Sequence, residues 1–228
     1  MTLLPFTADI PEASITDLRE RLAKTRWPEA QTVDDWSQGI PLDYLKDVCD
    51  YWATDYDWRR FEAKLNSFEQ GITGIDGLDI HYVHAPSPEP NAKPLIIIHG
   101  WPGSVVEHLD IIEPLRNPVA HGGSADDAYH VVVPSLPGYG FSGKPTAPGW
   151  SVQRIAAAWG ALMNRLGYQK FYVQGGDWGA GIAATMGYQQ TQAVEGVHVN
   201  LALCSPEELF ALGEPTAEEM GQLGKFQN

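Results

Sequence analysis

The sequence predicts an α/β fold: a parallel sheet with helices on both faces, preceded by a helical N-terminal arm. Three observations predict it. The hydrophobic period changes from helical to alternating near residue 72. Beyond that point, short apolar strands alternate with amphipathic helices, the pattern of a parallel sheet covered on both sides. The tightest motif of the chain, Gly-Gly-Asp-Trp-Gly-Ala at 175–180, lies between an apolar run at 170–174 and a helix-compatible run at 180–188.

The arm comes first. Ile15, Leu18 and Leu22 recur at helical spacing, Ser14 and Asp17 can form a capping box, and Trp27-Pro28 stops the helix. Leu42, Leu45, Cys49 and Trp52 give a second apolar face. This charged region carries Trp27, Trp36, Trp52 and Trp58 on narrow apolar faces, and is expected to wrap around another domain rather than stand alone. Ile72 and Ile75, then residues 78–83, read as two strands joined by a turn at Asp76-Gly77. Residues 94–98 are a continuous apolar run, as a buried parallel strand requires. A helix follows with Val105, Leu109 and Ile112 on one face, then a strand at 129–133. Ser151 can cap a helix whose face is Val152, Ile155, Trp159, Leu162 and Leu166, closed by Gly167. A last strand is expected at 196–201, and Ser205-Pro206-Glu207-Glu208 could start a helix.

Composition narrows the function classes. The 228 residues suffice for one large domain, and 43% apolar residues allow a core. A net charge of −14 argues against nucleic acid or an anionic membrane surface as partner. The two cysteines, Cys49 and Cys204, read as buried thiols of a reducing compartment. His81 and His84 are three apart on a strand and so face opposite ways, which reads as ordinary strand histidines rather than metal ligands. No apolar run reaches transmembrane length and the N-terminus lacks signal-peptide features, so a soluble cytoplasmic protein is expected. A homo-oligomer is compatible with the sequence.

Active sites of open parallel sheets gather at the carboxyl ends of the strands. Three loops belong there: 99–104, 134–143 and 175–179. Gly175-x-Asp177-x-Gly179 has the form of a nucleophile elbow with an acid where a hydrolase usually has serine. A carboxylate nucleophile suits attack on an electrophilic sp³ carbon, giving an ester that water then cleaves. Its oxyanion would be held by the backbone N–H groups of Trp178 and Trp101. The bland alternative is an Asp177 that only caps the next helix through N–H groups near Gly179. Gly138-x-Gly140-x-x-Gly143 matches a dinucleotide fingerprint, but prolines surround it and the next helix starts near Ser151, so it reads as a rigid loop. His99 reads as a hydrogen-bonded anchor, not a base.

At His-Gly-Trp-Pro-Gly-Ser (99–104), Pro-Ser-Leu-Pro-Gly-Tyr-Gly-Phe-Ser (134–142) and Gln-Gly-Gly-Asp-Trp-Gly (174–179), the chain resembles the microsomal-type epoxide hydrolases of the α/β-hydrolase superfamily. The resemblance extends to the arm, from Pro5-Phe6 through Asp57-Trp58-Arg59, which is similar to that family's N-terminal meander. It implies a meander at 1–75, an incomplete hydrolase core at 76–203 and the start of a lid at 204–228. It implies Asp177 as nucleophile, Trp101 and Trp178 as backbone oxyanion hole, an epoxide and water as reactants, and neither metal nor organic cofactor. The family role it points to is detoxification of xenobiotics.

The resemblance also calls for lid tyrosines, an acid and a late histidine. After Asp177 the sequence has only His198, on an expected strand, and its last tyrosine is Tyr188. A missing general base alone lowers rates by about 10²- to 10⁴-fold, so the chain by itself is expected not to turn over epoxides usefully. The 197–201 strand is expected to be an apolar sheet edge that lowers solubility. Two other readings stay open: a dehalogenase using the same Asp177, disfavoured by Trp101 where haloalkane dehalogenases have Asn, and a non-catalytic binding fragment.

Overall fold

A computed structural model describes residues 3–202, 216–218 and 220. The chain divides into two compact units, Leu4–Gly71 and a second made of Met1–Leu3 with Ile72–Asn228.

The first unit holds a short strand, β1 (Leu4–Phe6), and three helices: α1 (Glu12–Ala23), α2 (Leu42–Thr54) and α3 (Trp58–Asn66). It buries little: Ile15 on α1, nothing on α2 and Leu65 on α3. Polar ties make up for this. Asn66 accepts the Ala8 N–H at 2.9 Å and donates to the Ala8 carbonyl at 2.8 Å. Glu62 accepts the Ile10 N–H at 2.7 Å, and Arg59 joins Glu62 to Glu12. The expected capping box does not form. Pro11 starts α1, its carbonyl takes the Ser14 N–H, and Ser14 therefore lies inside the helix while Asp17 pairs with Arg21. Cys49 is partly exposed rather than buried, because the α2 face carrying it is only half covered. Cys204 and the expected helix start at 205–208 lie outside the described residues.

The second unit is built on a sheet. Strand β2 (Glu69–Ile75), which begins in the first unit, turns at Asp76 (φ 50°) and Gly77 (φ 81°) into β3 (Leu78–Ala85). Both turn residues need positive φ, which glycine and aspartate supply most cheaply. Next come β4 (Lys93–Ile98), a 3-10 turn (Val105–His108), α4 (Leu109–Arg116), β5 (Tyr129–Pro134), α5 (Val152–Arg165), β6 (Phe171–Gly175), α6 (Trp178–Gln189) and β7 (Val194–Val199). The strands run in the order β2-β3-β5-β4-β6-β7. The β3–β5 pair is antiparallel, and β5–β4, β4–β6 and β6–β7 are parallel.

Burial follows the apolar pattern. Ile96, Ile98, Val132 and Phe171 from the strands pack with Trp159 and Leu162 of α5 and Ile182 and Met186 of α6. Helix α6 is rich in Ala and Gly and contacts α5, β4, β6 and β7, so it has no polar face to show. Strand β7 begins two residues earlier than the sequence suggests. The Phe171 N–H bonds the Ala193 carbonyl, and Phe171 already pairs with Val194, so pairing outranks the apolar alternation farther along. Among the described residues no helix is long and apolar enough to cross a membrane.

Candidate active site

The parallel β4, β5 and β6 bring the loops after them to one end of the sheet. At the end of β6 the chain bends sharply. Asp177 has φ 52° and ψ −128°, a strained conformation for a residue with Cβ. Packing around it enforces the bend. A methyl at Gly175 would strike the Gly179 carbonyl, one at Gly179 the Ile98 carbonyl, and one at Gly100 the Asp177 carboxylate itself. These glycines serve close approach rather than flexibility.

The Trp101 N–H donates to Asp177 Oδ1 at 2.8 Å. The Asp177 side chain makes no capping bond to the N–H groups near Gly179, and it is its backbone carbonyl that accepts the Ala180 N–H. The helix-capping alternative therefore fails. The Trp178 N–H first, then that of Trp101, hold the carboxyl below the ordinary aspartate range, against a smaller desolvation effect. Trp101 and Trp178 are 66% and 56% exposed, and what they bring to the carboxylate is backbone N–H. The 99–104 loop is closed by features the sequence reading missed: Ser104 caps the Val106 N–H while Glu107 reaches back to the Ser104 N–H. The Ser-x-x-Glu spacing was the available signal.

Comparison with known proteins decides the family. A family model described as epoxide hydrolase N terminus matches residues 3–108, and one described as alpha/beta hydrolase fold matches residues 93–219. The chain belongs to the epoxide hydrolase family of α/β-hydrolases. A relative from Stigmatella aurantiaca is 53% identical over 207 residues, covering 91% of this chain and 47% of the relative. Epoxide hydrolase 1 of Oryctolagus cuniculus is 37% identical, covering 89% of this chain and 45% of its own. The solved structure of the Aspergillus niger epoxide hydrolase superposes with a TM-score of 0.81 at 34% identity, covering 96% of this chain and 56% of that one. The chain thus spans about half the length of the curated relatives it matches.

In this family member His99 is an anchor between two loops. Its Nε2 accepts the Leu136 N–H at 3.1 Å, which puts the proton on Nδ1, 3.0 Å from the Gly100 carbonyl. Buried in this way, the imidazole is pushed below its usual pKa, chiefly by desolvation, and both nitrogens are occupied. His81 is likewise buried, with Nδ1 2.9 Å from Ser135 Oγ, and burial pushes it down to about 4. His198 is exposed on β7, opposite Gln174. Asn200, just past β7, was not singled out from the sequence. Its N–H bonds the Gly175 carbonyl at 3.3 Å and its side-chain amide lies over Gly176, so a Cβ there would have to push the amide aside.

The 134–143 loop has no phosphate-cradle geometry. Its N–H groups are consumed locally: Gly138 bonds Gly143, Tyr139 bonds Leu136, and Gly143 bonds the Asp79 carbonyl at 2.7 Å. The next helix starts only at Val152. Among the described residues no cluster of three or more metal-ligating side chains occurs.

Proposed function

We propose that the protein is part of an epoxide hydrolase that forms a covalent ester on Asp177. The observation that carries this reading is the Trp101 N–H on Asp177 Oδ1, which ties one carboxylate oxygen and leaves an exposed carboxylate with the other to attack. Oδ2 bonds a ring carbon, the ring C–O bond breaks, and the resulting alkoxide takes up a proton. The ester carbonyl oxygen is then Oδ1, next to the Trp101 N–H, with the Trp178 N–H also on the carboxyl group. Water adds to the carboxyl carbon and gives up a proton to a base. Charge collects on Oδ1, and loss of the alkoxy oxygen releases a vicinal diol and restores the carboxylate.

Water activation is the step these residues support least. His99 has both nitrogens engaged, His81 is occupied by Ser135, His84 by Tyr168 and His130 by Ser87. The 228-residue chain is therefore proposed to alkylate faster than it deacylates. Incubation with styrene oxide, followed by intact-mass and peptide mapping, should give one adduct on residue 177 that persists, and none in Asp177→Ala. An adduct elsewhere, or equal labelling of the variant, would falsify the assignment.

A further inference from the structure

Beside the elbow lies a cavity of about 380 Å³ whose walls include Leu136, Pro137, Tyr139, Trp150, Ile155 and Trp178. None of its lining side chains is charged. One wall, Trp178, is the residue that follows Asp177 in the chain. The cavity's volume falls at the small end of ligand pockets, enough for one ring-sized apolar group.

Two aromatic walls are pinned from behind. Tyr139 meets the His99 ring edge-on at 5.5 Å, and His99 is itself held at both nitrogens. Trp150 carries the Arg154 guanidinium 4.4 Å above its ring centroid. Arg154 is in turn held by Asp76, with Nε donating to Oδ2 at 3.2 Å. The backbone before Trp150 turns through Gly149 at φ 114°, and Ser151 after it caps α5. A cation on one face of an indole leaves the other face for packing. An aromatic ring fixed in this way selects flat apolar partners at small entropic cost.

We infer that Trp150 is a specificity-determining residue that packs against an aryl substituent of the epoxide, and that Arg154 is its positioning residue. This rests on the proposed role of Asp177.

The test compares adduct formation at residue 177 by styrene oxide and by propylene oxide, followed by mass in the 228-residue chain. Comparing rate ratios between variants cancels the reagents' intrinsic reactivities. Trp150→Ala is expected to lower the styrene-to-propylene ratio about tenfold. Trp150→Leu, which keeps the space filled, lowers it in the same direction and serves if the alanine variant does not melt cooperatively. Arg154→Gln lowers the ratio about threefold, and Arg154→Lys, which keeps a cation, recovers part of the loss. An unchanged ratio in a folded Trp150 variant overturns the inference while leaving Asp177 as nucleophile. Absence of an adduct from either oxirane in the unmodified chain overturns both.

Discussion

The loop after β4 and the loop after β5 are built from the same materials and end up doing different things. Both are rich in glycine and proline, and both leave the carboxyl end of a buried strand. The first turns a backbone N–H outward, from Trp101 to Asp177. The second spends its N–H groups on itself, on the His81 and Asp79 carbonyls and on His99 Nε2. Glycine content therefore says that a loop is tight. Where its donors point says whether it can act on a substrate. His99 joins the two, its Nε2 accepting the hydrogen bond of the Leu136 N–H while its Nδ1 faces the Gly100 carbonyl.

The largest expected effect comes from removing that joint. His99→Ala leaves the buried Leu136 N–H without its acceptor and opens a cavity, and should lower stability by about 3–4 kcal/mol in urea denaturation. A loss under about 1 kcal/mol would mean that the loops hold their shapes independently.

Acid should loosen the second loop through His81, which faces Ser135. Its folded pKa of about 4 lies below the unfolded 6.5. A depressed value means that stability is full above about pH 6.5 and is lost as pH falls toward 4, because only the unfolded chain takes up the proton. The loss should be roughly 3 kcal/mol across that window. His108, also pushed to about 4 by burial and by nearby His99, adds in the same direction. Unfolding titrations at pH 7, 6 and 5 check the slope, and His81→Gln should flatten it.

The donor loop is tested at Gly100. Its alanine methyl would meet the Asp177 carboxylate, so Gly100→Ala should slow alkylation at residue 177 by about 10²-fold. The smallest effect is expected at Gly140, with φ 49° and an added Cβ 2.9 Å from Ser135 Oγ. Gly140→Ala should cost about 1 kcal/mol of stability and change alkylation less than threefold. If Gly140→Ala slows alkylation as much as Gly100→Ala does, the contrast between the loops collapses.

Much of this was legible beforehand because it depends on short-range chemistry. The elbow, the Asp76-Gly77 turn, the Ser151 cap and the buried β4 each follow from a few adjacent residues. What stayed hidden depends on partners distant in sequence. The start of α1 was a local signal overlooked, since Pro11 is only three residues before Ser14, whereas nothing near Val194 announces its pairing with Phe171. At the site, the elbow could be read from its glycines, but the Trp101 bond that separates a presented carboxylate from a helix cap spans 76 residues. The Trp150 wall was invisible for the same reason, since it is defined by Asp76 and Tyr139 as much as by its own neighbours.

The Trp101 bond has one more consequence: it makes the two oxygens of a symmetric group unequal. If the proposed ester forms through the untied atom, each cleavage by heavy-oxygen water installs an isotope where the departing atom had been. The first diol then carries ordinary oxygen taken from the protein. Heavy atoms reach the next diol almost completely if the tether holds between rounds, and about half the time if the carboxylate spins freely. Isotope content thus becomes a clock for how firmly one amide grips one atom.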